Sequence, residues 1–205
     1  MRIGLFGGSF NPAHRGHRRV TLNAIRALAL DEVWWLVSPG NPLKAAARDM
    51  APLAARLASA RAMARRAPIR ATAIETRLGT RYTVDTIAKL RRRHPKIRFI
   101  WLMGADNLGQ FHRWKDWREI ARAMPIAVIA RPGYDGAAVT GRAMAWLRRY
   151  ERRAGAGMTG AKAWTTWSLP ALVRLTFRPD PTSATAVRAA DPDWHVRLSA
   201  HQPRS

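Results

Sequence analysis

Cysteine is absent from this 205-residue chain, which excludes a disulfide framework, a thiol nucleophile and any thiolate metal site. Lysine is scarce, five residues against 31 arginines, and acidic residues number only 13, leaving a formal charge of +23. No apolar run approaches the roughly 18 residues of a membrane-spanning helix. The first apolar stretch, Ile3 to Phe6, is too short for the core of a secretory signal and runs straight into glycines, so the expected compartment is the cytoplasm. What is present is ordinary for a globular protein. Hydrophobic residues make up 47% and charged residues 24%, enough apolar material for a core and too much for wholesale disorder. Length and composition fit one domain, expected over residues 1–198, with 139–168 a less regular insertion and 199–205 a frayed tail.

The positive excess suggests a polyanionic partner such as nucleic acid or nucleotide phosphates. Its make-up points elsewhere. Arg, Ala, Gly and Pro all have GC-rich codons, and the arginines are scattered. The longest run, Arg91-Arg92-Arg93, lies in an amphipathic helical pattern where a solvated face accounts for it. No specific nucleic-acid partner and no membrane partner is expected, and the sequence leaves the oligomeric state open.

Short apolar runs alternate with helical patterns along the chain. Strands are expected at Arg2 to Phe6, Val33 to Val37, Ile69 to Ile74, Arg98 to Met103, Ile126 to Ala130 and Leu172 to Phe177. Helices are expected from Arg15 to Leu30, Pro52 to Arg66, Thr83 to His94, Trp117 to Met124, over 139–153, and from about Ala184. This alternation is that of an α/β fold, an open parallel sheet with right-handed crossovers placing helices on both faces. Residues 154–168 read as an irregular loop.

Chemistry is expected at the carboxyl end of the first strand, where the chain reads Gly7-Gly8-Ser9-Phe10-Asn11-Pro12-Ala13-His14-Arg15-Gly16-His17. Gly7 and Gly8 are expected to make a sharp turn close to a ligand, and Asn11-Pro12 initiates a further turn. His14 and His17 then fall on one side of a helix N-terminus, whose free N–H groups suit a phosphate. Two imidazoles there can hydrogen-bond phosphate oxygens as charge builds in a transition state. The Gly-Lys-Ser/Thr ending of a P-loop is missing, the glycine spacing is wrong for a dinucleotide fingerprint, and a zinc site would need further ligands.

The segment resembles the Gly-x-(Phe/Ser)-(Asp/Asn)-Pro-x-His-x-Gly-His signature of the nucleotidyltransferase superfamily, relatives of the class I aminoacyl-tRNA synthetases. In detail it is similar to the form found in the nicotinate-nucleotide adenylyltransferase family. Thr182-Ser183-Ala184-Thr185-Ala186-Val187-Arg188 resembles the second signature, Ile-Ser-Ser-Thr-x-Ile-Arg, with Thr182 in place of Ile and Ala184 in place of the second Ser. A helix starting there can be capped by Ser183 or Thr185, and Arg188 offers a bidentate positive fork. Tyr82-Thr83-Val84-Asp85-Thr86, Gly104-Ala105-Asp106-Asn107-Leu108 and the segment from Phe111 to Trp117 resemble further blocks of the family, as does Asn41-Pro42-Leu43-Lys44.

The resemblance runs from Ile3 to Arg188 and implies a Rossmann-like fold that transfers AMP from ATP to nicotinate mononucleotide, giving deamido-NAD and pyrophosphate. It implies direct in-line attack on the ATP α-phosphorus, with Mg²⁺ held mainly by phosphates and water and no protein metal site. His14, His17 and Arg188 would be catalytic. Gly7, Gly8, Ser9, Phe10, Gly104, Asp106, Ser183 and Thr185 would join them around ATP, with Asp106 near the ribose. Ser9, Asn41, Lys44, Thr83, Trp114 and Lys115 would bind nicotinate mononucleotide. In that set Trp114 stacks on the pyridine, Thr83 and the backbone near Lys115 face its carboxylate, and Lys44 faces phosphate. Trp117 is expected in the core. Alternatives are nicotinamide mononucleotide or phosphopantetheine as acceptor, an inactive nucleotide sensor, and a basic nucleic-acid-binding protein.

Overall fold

A computed structural model describes residues 1–40, 49–130, 140–153, 161–178 and 180–199. Seven parallel strands form one sheet in the order β3-β2-β1-β4-β5-β7-β6. They are β1 (Arg2–Gly8), β2 (Glu32–Val37), β3 (Ile69–Thr72), β4 (Arg98–Gly104), β5 (Ile126–Ile129), β6 (Glu151–Arg152) and β7 (Leu172–Leu175). The helices are α1 (Arg15–Ala27), α2 (Leu53–Ala64), α3 (Ile74–Leu78), α4 (Thr83–Arg93), α5 (Ala105–Gln110), α6 (Trp117–Ala123), α7 (Arg142–Leu147), α8 (Ala184–Ala190) and α9 (Trp194–Ser199). No helix among the described residues is long and apolar enough to cross a membrane.

Both faces of the sheet are covered, because its central strands are apolar at successive positions and each face takes alternate side chains. Trp34 and Leu36 of β2, with Phe99, Trp101 and Met103 of β4, face a core shared with Ile87, Leu90, Leu108, Ile120 and Leu147. Val33, Trp35 and Val37, with Ile100 and Leu102, face the other core, closed by Ala24 of α1, Leu28 just past its end, and Ala60 and Ala64 of α2. The order reverses between β1 and β4, the usual place for a crevice at the carboxyl ends of the strands.

Four expectations from sequence need correcting. Gly7 and Gly8 do not turn; they stay in β1, paired with Leu36 and Val37. They are small because a Cβ on Gly7 would lie 3.0 Å from the Trp101 ring, and one on Gly8 3.2 Å from Phe10. The turn comes at Phe10, which takes a left-handed φ of 47°. Second, the third strand ends at Thr72, and Ile74 opens α3 instead. Third, β6 was not foreseen, since two residues carry no period; it lies at the sheet edge beside β7. Fourth, within the stretch 154–168 read as an irregular loop, Ala163–Thr166 form a helical turn with Trp164 buried; further on, Trp194 of α9 is buried against Ala51 and Ala55 near the start of α2. Arg91, Arg92 and Arg93 are exposed in the last turn of α4, as a solvated face requires.

Gly4 sits where β1 crosses the core. A Cβ there would lie 2.9 Å from Leu30, Val33 and Leu102 side chains together. Gly4→Ala is expected to lower stability by roughly 1–3 kcal/mol through overpacking. In urea unfolding this appears as a lower midpoint at unchanged slope.

Candidate active site

The turn after β1 is irregular, so its polar groups need partners outside regular structure. They find them in three other segments. The Ser9 carbonyl accepts from Arg56 Nη1 at 2.8 Å. The Asn11 side chain clamps the segment before α2 in both senses, donating to the Asp49 carbonyl at 2.9 Å and accepting from the Ala51 N–H at 3.1 Å. The Asn11 carbonyl accepts from Arg188 Nη1 at 2.7 Å. The Ala13 N–H donates to Ser59 Oγ at 3.1 Å. Left-handed backbone at a bulky residue is unfavourable by about 1–3 kcal/mol. Here it buries the Phe10 ring, stacked on Trp35 at 4.9 Å and tilted against His17 at 4.9 Å.

His14 takes the N-cap position of α1 and is buried; His17 lies one turn on, with ring centroids 3.8 Å apart. The His14 backbone N–H donates to His17 Nδ1 at 3.3 Å. In a neutral imidazole that places the proton on Nε2. The His17 carbonyl accepts from Thr21 Oγ1 at 2.8 Å, and Thr21 in turn accepts from Trp35 Nε1 at 2.9 Å, which ties the helix start to β2. Gly16 must be glycine for contact: a Cβ would lie 2.9 Å from the His14 ring and 3.0 Å from the Thr182 carbonyl. The first and second motifs therefore touch through the missing side chain.

Arg188, on α8, also pairs with Asp49 at 3.0 Å. Ser183 caps α8, its Oγ accepting from the Ala186 N–H at 3.1 Å. Asp180 lies within 3.7 Å of Arg19 on α1. Its carboxyl is held below the usual carboxylate range by hydrogen bonds from Thr182, with Arg15 and Arg19 adding their charge.

A cavity of about 410 Å³ opens at the carboxyl ends of β1 and β4. Of the residues singled out in sequence, Gly7, Gly8, Ser9, Phe10, His17, Thr83, Gly104, Asp106, Trp114, Lys115 and Arg188 line it. His14, Ser183 and Thr185 do not: His14 backs His17, Ser183 caps α8 with its hydroxyl proton still available, and Thr185 is exposed. Asn41 and Lys44 lie outside the described residues.

The far side of the cavity is aromatic and cationic. Trp114 is half-buried, set edge-to-face on Trp101 at 6.1 Å and on Phe111 at 5.3 Å. Trp117 is buried in the core, against Phe111 and Trp146. Lys115 lies over the Tyr82 ring at 4.8 Å and 3.6 Å from the Asp85 carboxylate, which brings it beside the first turn of α4. The N–H groups of Thr83 and Val84 have no acceptor within that helix and offer an anion site. Gly104 leaves room for the Asp106 carboxylate to fold back over it, since a Cβ there would lie 2.3 Å from Oδ1.

Two lining or supporting groups escaped the sequence reading. Glu75 is buried, faces the cavity, and is hydrogen-bonded to Thr86. The Thr80 and Thr86 hydroxyls meet at 2.8 Å beneath the same turn. Its one signal was being an acid in a basic chain. Arg56 is 1% exposed, with burial drawing its pKa below the ordinary value. An arginine in an Ala-rich helix carried no signal at all.

The family model of the cytidylyltransferase-like proteins matches residues 5–190. A probable nicotinate-nucleotide adenylyltransferase of Erythrobacter litoralis is 62% identical over 197 residues, 96% of this chain and 88% of that protein. One of the same name from Cereibacter sphaeroides is 50% identical over 193 residues, 92% and 97% of the two chains. Among solved structures, the nicotinic acid mononucleotide adenylyltransferase of Plasmodium falciparum complexed with NaAD superposes with a TM-score of 0.64. The match covers 92% of this chain and 82% of that one at 15% identity, a likeness of fold.

Burial raises the Glu75 carboxyl from an ordinary 4.5 to about 7, with the Thr86 hydroxyl pulling the other way. The folded state thus holds this proton more tightly than the unfolded chain, so the group favours folding below pH 4.5 and loses that contribution as pH rises through 7. Relative to Glu75→Gln, the parent protein is expected to lose about 3 kcal/mol over that interval. Urea unfolding of both proteins at pH 5 and pH 8 measures it; parallel pH dependence in the two would refute the assignment.

Proposed function

The chain belongs to the cytidylyltransferase-like family, and from its relatives and its cavity we propose that it transfers AMP from ATP to nicotinate mononucleotide, releasing pyrophosphate and forming deamido-NAD. The observation that carries this reading is one cavity with two unlike ends. His17 and Arg188 face it with the N-terminal turn of α1 on one side, and Trp114, Thr83 and Lys115 face it on the other. The first end suits a triphosphate and the second a flat, anionic pyridine. The reaction would run in the cytoplasm.

The chemistry asks little of a base. A phosphate monoester is already a nucleophile at neutral pH, so its oxygen attacks the α-phosphorus directly. The bond from that phosphorus to the bridging oxygen breaks in line, and pyrophosphate leaves with the electron pair. Catalysis then rests on alignment and on charge stabilisation. His17, with Nδ1 accepting from the His14 N–H, would present Nε2–H to the triphosphate. His14 would act in part by holding that tautomer. Arg188 would exchange its Asp49 partner for phosphate, its second bond to the Asn11 carbonyl keeping the fork in place. The half-buried Trp114 would stack on the pyridine, and its carboxylate would meet the Thr83 and Val84 N–H groups beside Lys115. Asp106, in the first turn of α5, would lie near the ribose.

Among the described residues no cluster of three His, Asp or Glu side chains forms a metal cage. A Mg²⁺ arriving with the triphosphate would be held mainly by phosphate oxygens and water, with the Asp106 carboxylate facing the same cavity. Bound there, Mg²⁺ supplies charge neutralisation.

Pyrophosphate release with ATP and Mg²⁺ is expected to favour nicotinate mononucleotide strongly over nicotinamide mononucleotide and phosphopantetheine. A preference for either of the others would overturn the reading of the Thr83–Trp114 end. His17→Ala is expected to lower kcat by roughly 10²–10³, a loss far larger than any fall in the folded fraction read from urea unfolding. Wild-type turnover in that variant would remove His17 from the mechanism.

A further inference from the structure

Arg56 is buried in the first turn of α2, and its guanidinium fork reaches four carbonyl oxygens in three separate segments. Nε donates to Ala51 at 2.8 Å, Nη1 to Ser9 at 2.8 Å and to Ser38 at 2.7 Å, and Nη2 to Pro39 at 3.4 Å. Among the described residues no carboxylate forms an ion pair with it. A buried cation without a counter-ion is an expensive way to fill space, and an apolar side chain of like volume would do that better. What an apolar side chain cannot do is bridge three backbones.

The bridged segments have different work. Ser9 begins the turn that leads to His17. Ser38 and Pro39 follow β2, and Ser38 lines the same cavity as Thr83 and Trp114, which the proposed function gives to the acceptor. Ser9 and Ser38 both line the cavity. One turn further along α2, on the same face, Ser59 holds the Ala13 N–H, so the helix grips the ATP-side turn at two points and the acceptor-side segment at a third. We propose that Arg56 is the brace that sets the two half-sites in register, a positioning residue for the transfer.

This inference rests on the two-substrate reading above. In-line attack tolerates little misalignment: a displacement of about 1 Å can lower the rate about 10²-fold. A ligand filling only one half-site does not feel the register between the halves. The dinucleotide product fills both, and its affinity depends on whether they can be engaged together. Lysine keeps the charge but loses the planar fork.

The test uses Arg56→Lys and Arg56→Gln, with deamido-NAD, ATP and nicotinate mononucleotide titrated separately into each variant and into wild type. In a folded variant the two single substrates should bind within about threefold of wild type while deamido-NAD weakens at least about tenfold. Alongside, kcat should fall about 10²-fold. Equal weakening of all three ligands would make Arg56 a general support, and unchanged kcat would remove it from positioning; either overturns the proposal. So would failure of both variants to fold. Wild-type protein that neither binds deamido-NAD nor transfers AMP would sink the functional reading and this one with it, a result distinct from active wild type with unaffected variants.

Discussion

The five residues from Ser9 to Ala13 leave the sheet where no neighbouring strand can hydrogen-bond them, and the site depends on how that debt is met. Arg56, Ser59, the Asp49–Ala51 segment and Arg188 each take one or two of their polar groups. A regular element would have satisfied those groups internally and left the turn indifferent to its surroundings. An irregular one is fixed only by what surrounds it. The turn therefore acts as a socket into which α2 and α8 plug, and the histidines at its far end inherit their positions from both.

A second constraint follows from close approach. At Gly16 the second motif's backbone comes so near α1 that no side chain fits between them. Gly7 and Gly8 have the same character against aromatic rings. In each case the glycine serves contact rather than chain reversal, and Phe10, the residue that does reverse the chain, is among the least suited by type. Its ring stacked on Trp35 is what holds that backbone.

The sheet was legible wherever its strands were buried on both faces, because Val33 to Val37 and Arg98 to Met103 are apolar without interruption. It was illegible at β6, whose two residues take their strand character from pairing with β7 alone. The turn after β1 was legible as a cavity wall by the histidine pair that follows it, though Gly7 and Gly8 suggest a turn that belongs to Phe10. Trp114 and Trp117 could be told apart only by family resemblance; packing separates them, one half-buried at the cavity and one in the core. Arg56 and Glu75 were hidden for a common reason. A buried charged residue looks in sequence like a solvated one, and in a chain with 31 arginines one more carries no information.

The bond from Arg188 to the Asn11 carbonyl spans 177 residues. During synthesis the sheet can begin to assemble once β1, β2 and β4 have left the ribosome, about halfway along the chain. The turn after β1 still lacks one of its four anchors at that stage, and gains it only when α8 emerges near the end. The central strands are thus early in the order of assembly, while the Arg188 side of the cavity is completed last. A nascent or truncated chain that stops before α8 would carry all seven strands with an unfinished pocket, which ties nucleotide capture to the arrival of that helix.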